Sequence, residues 1–175
     1  GWDTINAVPI EAINGISIFN GAGSEESAYS LYVPAYQNIV DQHTPYEIDI
    51  NGSIDSLYIE YEVTVSLDSN FSNQDQQVHI FIVEDNIMSV WWIFGDVDHN
   101  ARNVVRRWES INDLDISEAG ESQSFSGSFI IDSDAWNPDS IKIISVVQNS
   151  STSEIFQAYQ MSVNNFDSDD DGVLG

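Results

Sequence analysis

Most of the positive charge of this chain lies in one short segment. The segment Asp96–Trp108 reads DVDHNARNVVRRW and holds Arg102, Arg106 and Arg107, whereas the chain as a whole has 4 basic and 29 acidic side chains. A guanidinium group forms planar, paired hydrogen bonds with a carboxylate, so an arginine in an acidic chain is expected to have carboxylate partners. We therefore expect these arginines to brace the fold by pairing with carboxylates such as those of Glu84, Asp85, Asp96 or Glu109.

A binding site is the alternative interpretation of the same cluster. Three guanidinium groups close together could hold an anion or the carboxylate of a glycan, with Trp91 and Trp108 as stacking platforms. On a regular strand, Val104 and Arg106 would share one face, and Val105 and Arg107 the other. At least one arginine would then leave the core face.

A second group of residues has the spacing of metal ligands. Near the end of the chain, Asp167, Asp169 and Asp171 alternate before Gly172, as in the opening of a calcium-binding loop. Asp96 and Asp98, beside His99, begin a similar pattern, but an alanine stands where such loops have glycine, which favours an ordinary turn there. The sequence predicts calcium at the C-terminal run, with the closing ligands supplied from beyond Gly175.

Composition excludes several classes of function. The net charge of −25 disfavours binding to nucleic acid or to an anionic membrane surface. The chain has no cysteine, which excludes thiol chemistry and disulfides. The sequence shows no nucleophile elbow, zinc-protease motif or phosphate-binding glycine loop, and no apolar run long enough to span a bilayer. We expect a non-enzymatic protein without membrane insertion.

The elements around these residues are mainly strands. Ser56–Leu67 alternates, with Leu57, Ile59, Tyr61, Val63 and Val65 on one face, as expected of a half-buried antiparallel strand. Further strands are predicted at Gln77–Asp85, Met88–Phe94, Ser122–Ile131, Ser140–Asn149 and Glu154–Val163. The short EDNI segment between the first two of these predicts a hairpin, and NSSTS between the last two predicts a turn.

The first 45 residues have a different pattern. Ile16–Phe19 predicts a short strand, and Ser24 followed by two glutamates predicts a helix start. The segment PAYQNIVDQH, in which Pro34 could be a first helical position, predicts a helix with Tyr36, Ile39 and Val40 on one face. The predicted fold is mainly β: an antiparallel β-sandwich, Ig-like or jelly-roll-like, with a short N-terminal α/β segment.

Three segments resemble a known family, the outer membrane protein 28 family of Bacteroidota-like bacteria. GISIFNGAG with its following helix resembles the later part of the family's thioredoxin-like domain. VHIFIVEDN with DHNARNVVRRW, and IISVVQNSSTSEIFQAYQMSV, resemble parts of the β-sandwich that follows it. The resemblance implies three regions: a partial thioredoxin-like lead-in at 1–45, a sandwich at 46–166, and the start of an acidic calcium-binding repeat or linker at 167–175.

The chain departs from the family at the positions that redox chemistry needs. A working thioredoxin domain has a cysteine pair and a cis-proline, whereas this chain has no cysteine and Ser17 aligns with that proline. The resemblance therefore implies a secreted or bacterial cell-surface module without redox activity. Its expected role is assembly or adhesion through protein partners or self-assembly, with calcium at the C-terminal edge. The alternatives are a carbohydrate-binding module of a secreted hydrolase, which would bind a glycan, and an accessory domain of an enzyme whose catalytic half lies upstream.

Overall fold

The computed structural model describes residues 10–20, 24–71, 75–91 and 97–166, with only the backbone described at positions 10, 25, 91 and 97. The first region is a hairpin followed by a helix. Its elements are β1 (Ile10–Ile13), β2 (Ser17–Asn20) and α1 (Glu25–Gln37). The rings of Phe19 on β2 and Tyr32 on α1 pack edge to face with centroids 5.1 Å apart. This contact fixes the helix against the hairpin.

The predicted start of the helix at Ser24 is confirmed, and the predicted helix beginning at Pro34 is wrong. The Ser24 side chain accepts a hydrogen bond from the Ser27 backbone N–H, and the Ser27 side chain accepts one from the Ser24 backbone N–H. This reciprocal cap starts the helix well before Pro34, which lies inside α1. The helix then ends at Gln37, so Ile39 and Val40 fall in the turns after it.

Two antiparallel sheets form most of the rest of the described structure. The three-stranded sheet has the order β3–β4–β9, and the four-stranded sheet has the order β11–β10–β5–β8. The strands of the first are β3 (Tyr46–Asp55), β4 (Tyr58–Leu67) and β9 (Ser122–Ile130). The strands of the second are β5 (Gln76–Glu84), β8 (Val104–Asp113), β10 (Ile141–Asn149) and β11 (Ile155–Ser162).

The hydrophobic core lies between these two sheets. Its buried side chains come from alternate positions of both sheets, such as Val63 and Val65 on β4 and Ile80 and Ile82 on β5. Burying an aliphatic side chain of this size stabilises a fold by about 1.5–3 kcal/mol relative to leaving it exposed. The predicted inward face of β4 is confirmed at Ile59, Tyr61, Val63 and Val65, all of which are buried.

The order of the strands distinguishes between the two predicted kinds of sandwich, Ig-like and jelly-roll-like. The chain passes from β4 to β5, from β8 to β9 and from β9 to β10 by crossing between the sheets. Three strands facing four, with these crossings, is an Ig-like arrangement. The fold is therefore a mainly β protein whose central unit is an Ig-like antiparallel sandwich.

The hairpin predicted across the EDNI segment is wrong. A separate two-stranded ribbon, β6 (Ile87–Trp91) and β7 (Val97–Ala101), lies between β5 and β8 in the chain. Strand β5 pairs with β8 and β10, and β6 pairs with β7. Two residues, Asp85 and Asn86, lie between β5 and β6, and Asn86 has a φ of 57°, which turns the chain out of the sheet. The turn predicted at Asp96–Asn100 is likewise wrong over its described part, because positions 97–100 lie in strand β7.

The N-terminal hairpin contacts the turn between β10 and β11, which the NSSTS segment correctly predicted. The Ile155 N–H donates to the Asn14 carbonyl oxygen at 3.1 Å. A Cβ placed on Gly15 would lie 1.9 Å from the Ser153 carbonyl oxygen, and the φ of Gly15 is +73°. Glycine is therefore required by both the backbone conformation and the close approach. In the described residues, no helix is both long and apolar enough to cross a bilayer.

Candidate functional site

All four lysine and arginine side chains of this chain pair with carboxylates. The pairs lie at the end of the sandwich where β5 leads into the ribbon, or along the adjoining strand β8. Arg102 and Lys142 bind Asp85, Arg106 binds Glu84, and Arg107 binds Glu109. The predicted pairing of the arginines with Glu84, Asp85 and Glu109 is confirmed, and Asp96 lies outside the described residues.

Asp85 is the centre of this charged cluster. Its side chain is 3% exposed, yet it accepts hydrogen bonds from Arg102 Nε at 2.5 Å, Arg102 Nη2 at 2.9 Å and Lys142 Nζ at 2.6 Å. The backbone N–H groups of Asn86 and Asn103 also donate to it. The hydrogen bonds from Arg102 and Lys142 hold the pKa of Asp85 well below its usual range, although burial opposes them. The carboxylate therefore joins β5, β10 and the base of the β6–β7 ribbon.

The other two arginines close the edge of the sandwich beside β8. Arg106 Nη2 donates to Glu84 Oε2 at 2.6 Å, and the other oxygen of Glu84 accepts from the Asn137 backbone N–H at 3.1 Å. Arg107 pairs with Glu109, and its guanidinium carbon lies 5.7 Å from the centre of the Phe129 ring on the opposite sheet. These contacts engage both guanidinium groups within the protein.

The simple alternation predicted for this strand is wrong, because β8 contains two bulges. Val105 lies opposite Val83 and Arg107 lies opposite Ile82, so the extra residue Arg106 places Val105 and Arg107 on opposite faces. A second register shift lies between the pairs Ile80–Ser110 and Phe81–Trp108. As a result, Val105 and Trp108 point outward and Arg107 points toward the other sheet.

The outer face of the four-stranded sheet is apolar and free of carboxylates in its middle. Cross-strand pairing aligns the outward residues of β8, β5, β10 and β11 in three rows. The rows are Val105–Val83–Lys142–Ser162, Trp108–Phe81–Ile144–Gln160 and Ile111–His79–Val146–Ala158. Acidic side chains occur only beyond these rows, at Asp113 on one end and Asp85 on the other, among the described residues of this face. Val105, Trp108 and Ile111 are each at least half exposed. The charge of Lys142 is paired with that of Asp85, and we call these three rows the uncharged face.

The outer face of the three-stranded sheet has the opposite character. Its outward positions alternate with the core positions and carry serines, threonine and five exposed carboxylates. The acidic residues are Glu47, Asp49, Asp55, Glu60 and Glu62. The negative charge of the sandwich is thus distributed unevenly: one outer face is acidic, and the other presents aliphatic and aromatic groups to solvent.

Three rings lie together on the uncharged face. Trp108 is 5.6 Å from His79 and 5.2 Å from Phe81, measured between ring centroids, and the rings are tilted by 30° and 34°. His79 is buried beneath this group, and the burial lowers its pKa. Trp108 remains 55% exposed, so about half of its surface is open to a ligand or partner. Of the predicted ligand-binding residues, Trp108 lies on this face, whereas the side chain of Trp91 is outside the described residues.

Of the predicted metal ligands, only Asp98 lies within the described residues. Asp98 is exposed on β7 opposite Val90, and Asp96, Asp167, Asp169 and Asp171 lie outside the described residues. The described residues include no group of three or more His, Cys, Asp or Glu side chains arranged to hold a metal ion. Calcium at the acidic tail stays a prediction.

The sequence analysis missed Lys142, Phe81 and His79 as members of these clusters. Lys142 lies far along the chain from Asp85, and only the pairing of β10 with β5 brings them together. A signal was available for Phe81 and His79. They alternate with Val78, Ile80 and Ile82, so both had to face away from the core.

The fold and these surfaces define an Ig-like sandwich with an apolar outer face. No protein-family profile matches the sequence, and no curated protein matches it. Among solved structures, HBP35 of Porphyromonas gingivalis superposes with a TM-score of 0.64 at 13% identity, over 91% of this chain and 55% of that chain. This chain therefore spans about half the length of HBP35, and the likeness establishes a shared fold.

Two further solved structures are more distant. A domain of the outer membrane lipoprotein Omp28 from Porphyromonas gingivalis matches with a TM-score of 0.49 at 12% identity, over 70% of this chain and 91% of that chain. A structure of β-glucosidase 3B from Thermotoga neapolitana in complex with glucose matches with a TM-score of 0.36 at 15% identity, over 79% of this chain and 20% of that chain.

Proposed function

We propose that this chain is a non-enzymatic, extracellular or cell-surface module that serves assembly by binding a second copy of itself through the uncharged face. The observation that supports this most is the absence of carboxylates from the three rows of that face, in a chain that carries 29 acidic residues. An exposed apolar patch rimmed by polar residues is typical of an interaction site.

The distribution of charge favours a dimer in which the uncharged faces of two copies are in contact. Two molecules with a net charge of −25 repel each other in most orientations. When the uncharged faces meet, the acidic outer faces of the three-stranded sheets point away from each other. A single patch used by both copies gives a closed two-fold dimer, in which Trp108 of each copy packs on the other.

The test is sedimentation analysis over a range of protein concentrations and salt. We expect a monomer–dimer equilibrium that shifts toward dimer as salt is raised from about 0.1 M to about 1 M, because salt screens the repulsion. Trp108→Ser should abolish the dimer. The matched control is Ile130→Ser, which removes an apolar side chain from the acidic outer face that is more exposed (67%) than Trp108 (55%). A chain that stays monomeric under all these conditions, or a dimer lost equally in both variants, would overturn the proposal.

A carbohydrate ligand is the second candidate, and the exposed ring of Trp108 favours it. Aromatic side chains at a binding surface provide flat apolar area on which the ring of a sugar can stack. The test is a glycan array with the wild type and Trp108→Ser. A glycan that binds the wild type, and loses binding in the variant, would support a carbohydrate-binding module.

The proposal also includes an exported location for this protein and calcium binding at its C-terminal edge. The location rests on the sequence resemblance to the outer membrane protein 28 family. The calcium rests on the alternate spacing of Asp167, Asp169 and Asp171 before Gly172. Both are testable without reference to the uncharged face.

A further inference from the structure

Strand β9 forms an open edge of the three-stranded sheet. It pairs with β4 along one side and with no other strand among the described residues. The Leu67 N–H donates to the Glu121 carbonyl oxygen just before β9, and the Ile131 N–H donates to the Leu57 carbonyl oxygen just after it. Hydrogen-bonded pairs alternate along an antiparallel ladder, so the odd-numbered residues of β9 are bonded to β4. The even-numbered residues within 122–130 therefore direct their backbone N–H and C=O groups toward the open edge.

The other outer strands of the two sheets have features that protect a sheet edge from pairing with another chain. Charged side chains and bulges are the usual protection. Strand β3 carries three acidic side chains, β8 contains two bulges, and β11 has the extra residue Phe156 opposite β10. Strand β9 reads SQSFSGSFI, with no charged residue, no proline and an unbroken register with β4. An unprotected edge of this kind is a template for the addition of a further strand.

The carboxylates beside this edge select a basic partner. Glu62 lies opposite Ser126 and Glu60 lies opposite Ser128, and all four residues are exposed on the acidic outer face. Ser126 Oγ donates to a carboxylate oxygen of Glu62 at 3.3 Å. A strand added to β9 would lie about 10 Å from β4, which is two strand spacings. The long side chain of a lysine or arginine on that strand can extend across the short serines to the carboxylates.

The surface beside β9 has room for such side chains. A shallow depression of about 380 Å³ lies there, and Glu60, Glu62 and Ser126 line it together with the polar residues Asn51 and Ser53. An ammonium or guanidinium group in this depression would approach both carboxylates. The depression lies on the three-stranded sheet, whereas the uncharged face belongs to the four-stranded sheet.

We propose that β9 binds an extended segment of a partner protein, which joins the three-stranded sheet as a fourth strand and carries lysine or arginine at two alternate positions. The even-numbered backbone groups of β9 would bind its backbone, and Glu60 and Glu62 would bind its two cations. The basic positions must alternate, because successive side chains of a strand point to opposite faces. A second copy of this chain fits less well, because its β9 has no basic side chain and the pairing would join two acidic faces into one.

The test uses the intact chain, followed by its backbone amide NMR signals and hydrogen exchange, with the synthetic peptide acetyl-TVKVKVT-amide. We expect the peptide to shift the signals of residues 122–130 and to slow exchange at the amides of Ser124, Ser126 and Ser128. The control peptide acetyl-TVKKVVT-amide has the same composition and charge, but its adjacent lysines face opposite sides of a strand. It should bind about threefold more weakly, as expected for the loss of one exposed ion pair.

Substitutions in the chain test the backbone and the charges separately. Ser126→Pro removes an N–H at the open edge and spares the hydrogen bonds to β4, so it should abolish binding. Glu62→Gln should weaken binding of the alternating peptide by about threefold. Glu47→Gln is the matched control, because it removes the same charge from the same outer face on the far strand β3. It should leave binding unchanged.

The other outcomes would overturn the proposal. Equal binding of the two peptides, or equal losses in Glu62→Gln and Glu47→Gln, would show general attraction of cations to an acidic chain. Shifted signals without slower exchange at the three serine amides would exclude strand addition. Slow exchange at these amides without peptide, increasing with protein concentration, would mean that a second copy occupies the edge. Because Glu62 is exposed, its substitution tests the proposal even if Ser126→Pro changes the fold.

Discussion

The Lys142 ammonium group on β10 lies 2.6 Å from a carboxylate oxygen of Asp85, which follows the last residue of β5. Both oxygens of the same carboxylate also accept hydrogen bonds from Arg102, which comes directly after β7. Asp85 thereby connects the four-stranded sheet to the inserted ribbon. The charged segment seen in the sequence is thus a structural junction.

We predict that Asp85→Asn lowers the free energy of unfolding by about 2–4 kcal/mol, because removing one partner of a buried pair leaves the other charge uncompensated. Lys142 is 20% exposed and would be left unpaired, whereas Arg102 is more exposed and can be hydrated. Chemical denaturation measures the change. Asp98→Asn, an exposed carboxylate on the adjacent ribbon, is the control, and an equal effect of the two substitutions would contradict the structural role of Asp85.

The same pair predicts a dependence on pH. The pKa of Asp85 is lower in the folded state than in the unfolded state, where it lies near its ordinary value. Its stabilising contribution is therefore full above about pH 4 and is lost as the pH falls through the folded-state pKa. The difference in unfolding free energy between the wild type and Asp85→Asn should shrink from about pH 5 toward pH 2. A difference that stays constant over this range would mean that the folded protein does not lower this pKa.

Gly15→Ala should release the N-terminal hairpin from the sandwich. The new Cβ would collide with the Ser153 carbonyl oxygen, and a positive φ in a residue with a side chain costs about 1–3 kcal/mol by itself. Gly120→Ala is the matched control, because Gly120 also has a positive φ but has no atom near its Cβ position. We expect faster hydrogen exchange at the Ile155 amide, which donates to Asn14, in Gly15→Ala and not in the control. Unchanged protection of Ile155 would mean that this contact does not hold the hairpin.

Calcium binding at the acidic tail remains to be measured. We predict weak binding by this chain, with a Kd of about 0.1–1 mM as in other extracellular modules, because three carboxylates alone do not complete the ligand shell. A polypeptide extended past Gly175 should bind more tightly. Calorimetry on both, with Asp169→Ala and Asp171→Ala in each, distinguishes a calcium loop from an acidic linker. No gain on extension, or uptake that survives both substitutions, would favour the linker.

The sequence by itself determined the features that depend on local spacing. Alternation along β4 predicted its inward face, Ser24 predicted the start of α1, and the polar NSSTS segment predicted the turn between β10 and β11. The pairing of the arginines also followed from composition, since four basic groups among 29 acidic ones have abundant partners. These features needed no knowledge of which strands are neighbours.

Only the tertiary structure decided the uncharged face and the Asp85 junction. Each is assembled from strands that are distant in the chain, as Lys142 and Asp85 are. The two bulges of β8 also shift which residues face outward, so that Val105 and Trp108 share a face although they are three positions apart. Alternation along a single strand cannot show this, because the register is fixed by hydrogen bonds to the neighbouring strand and by packing of the core.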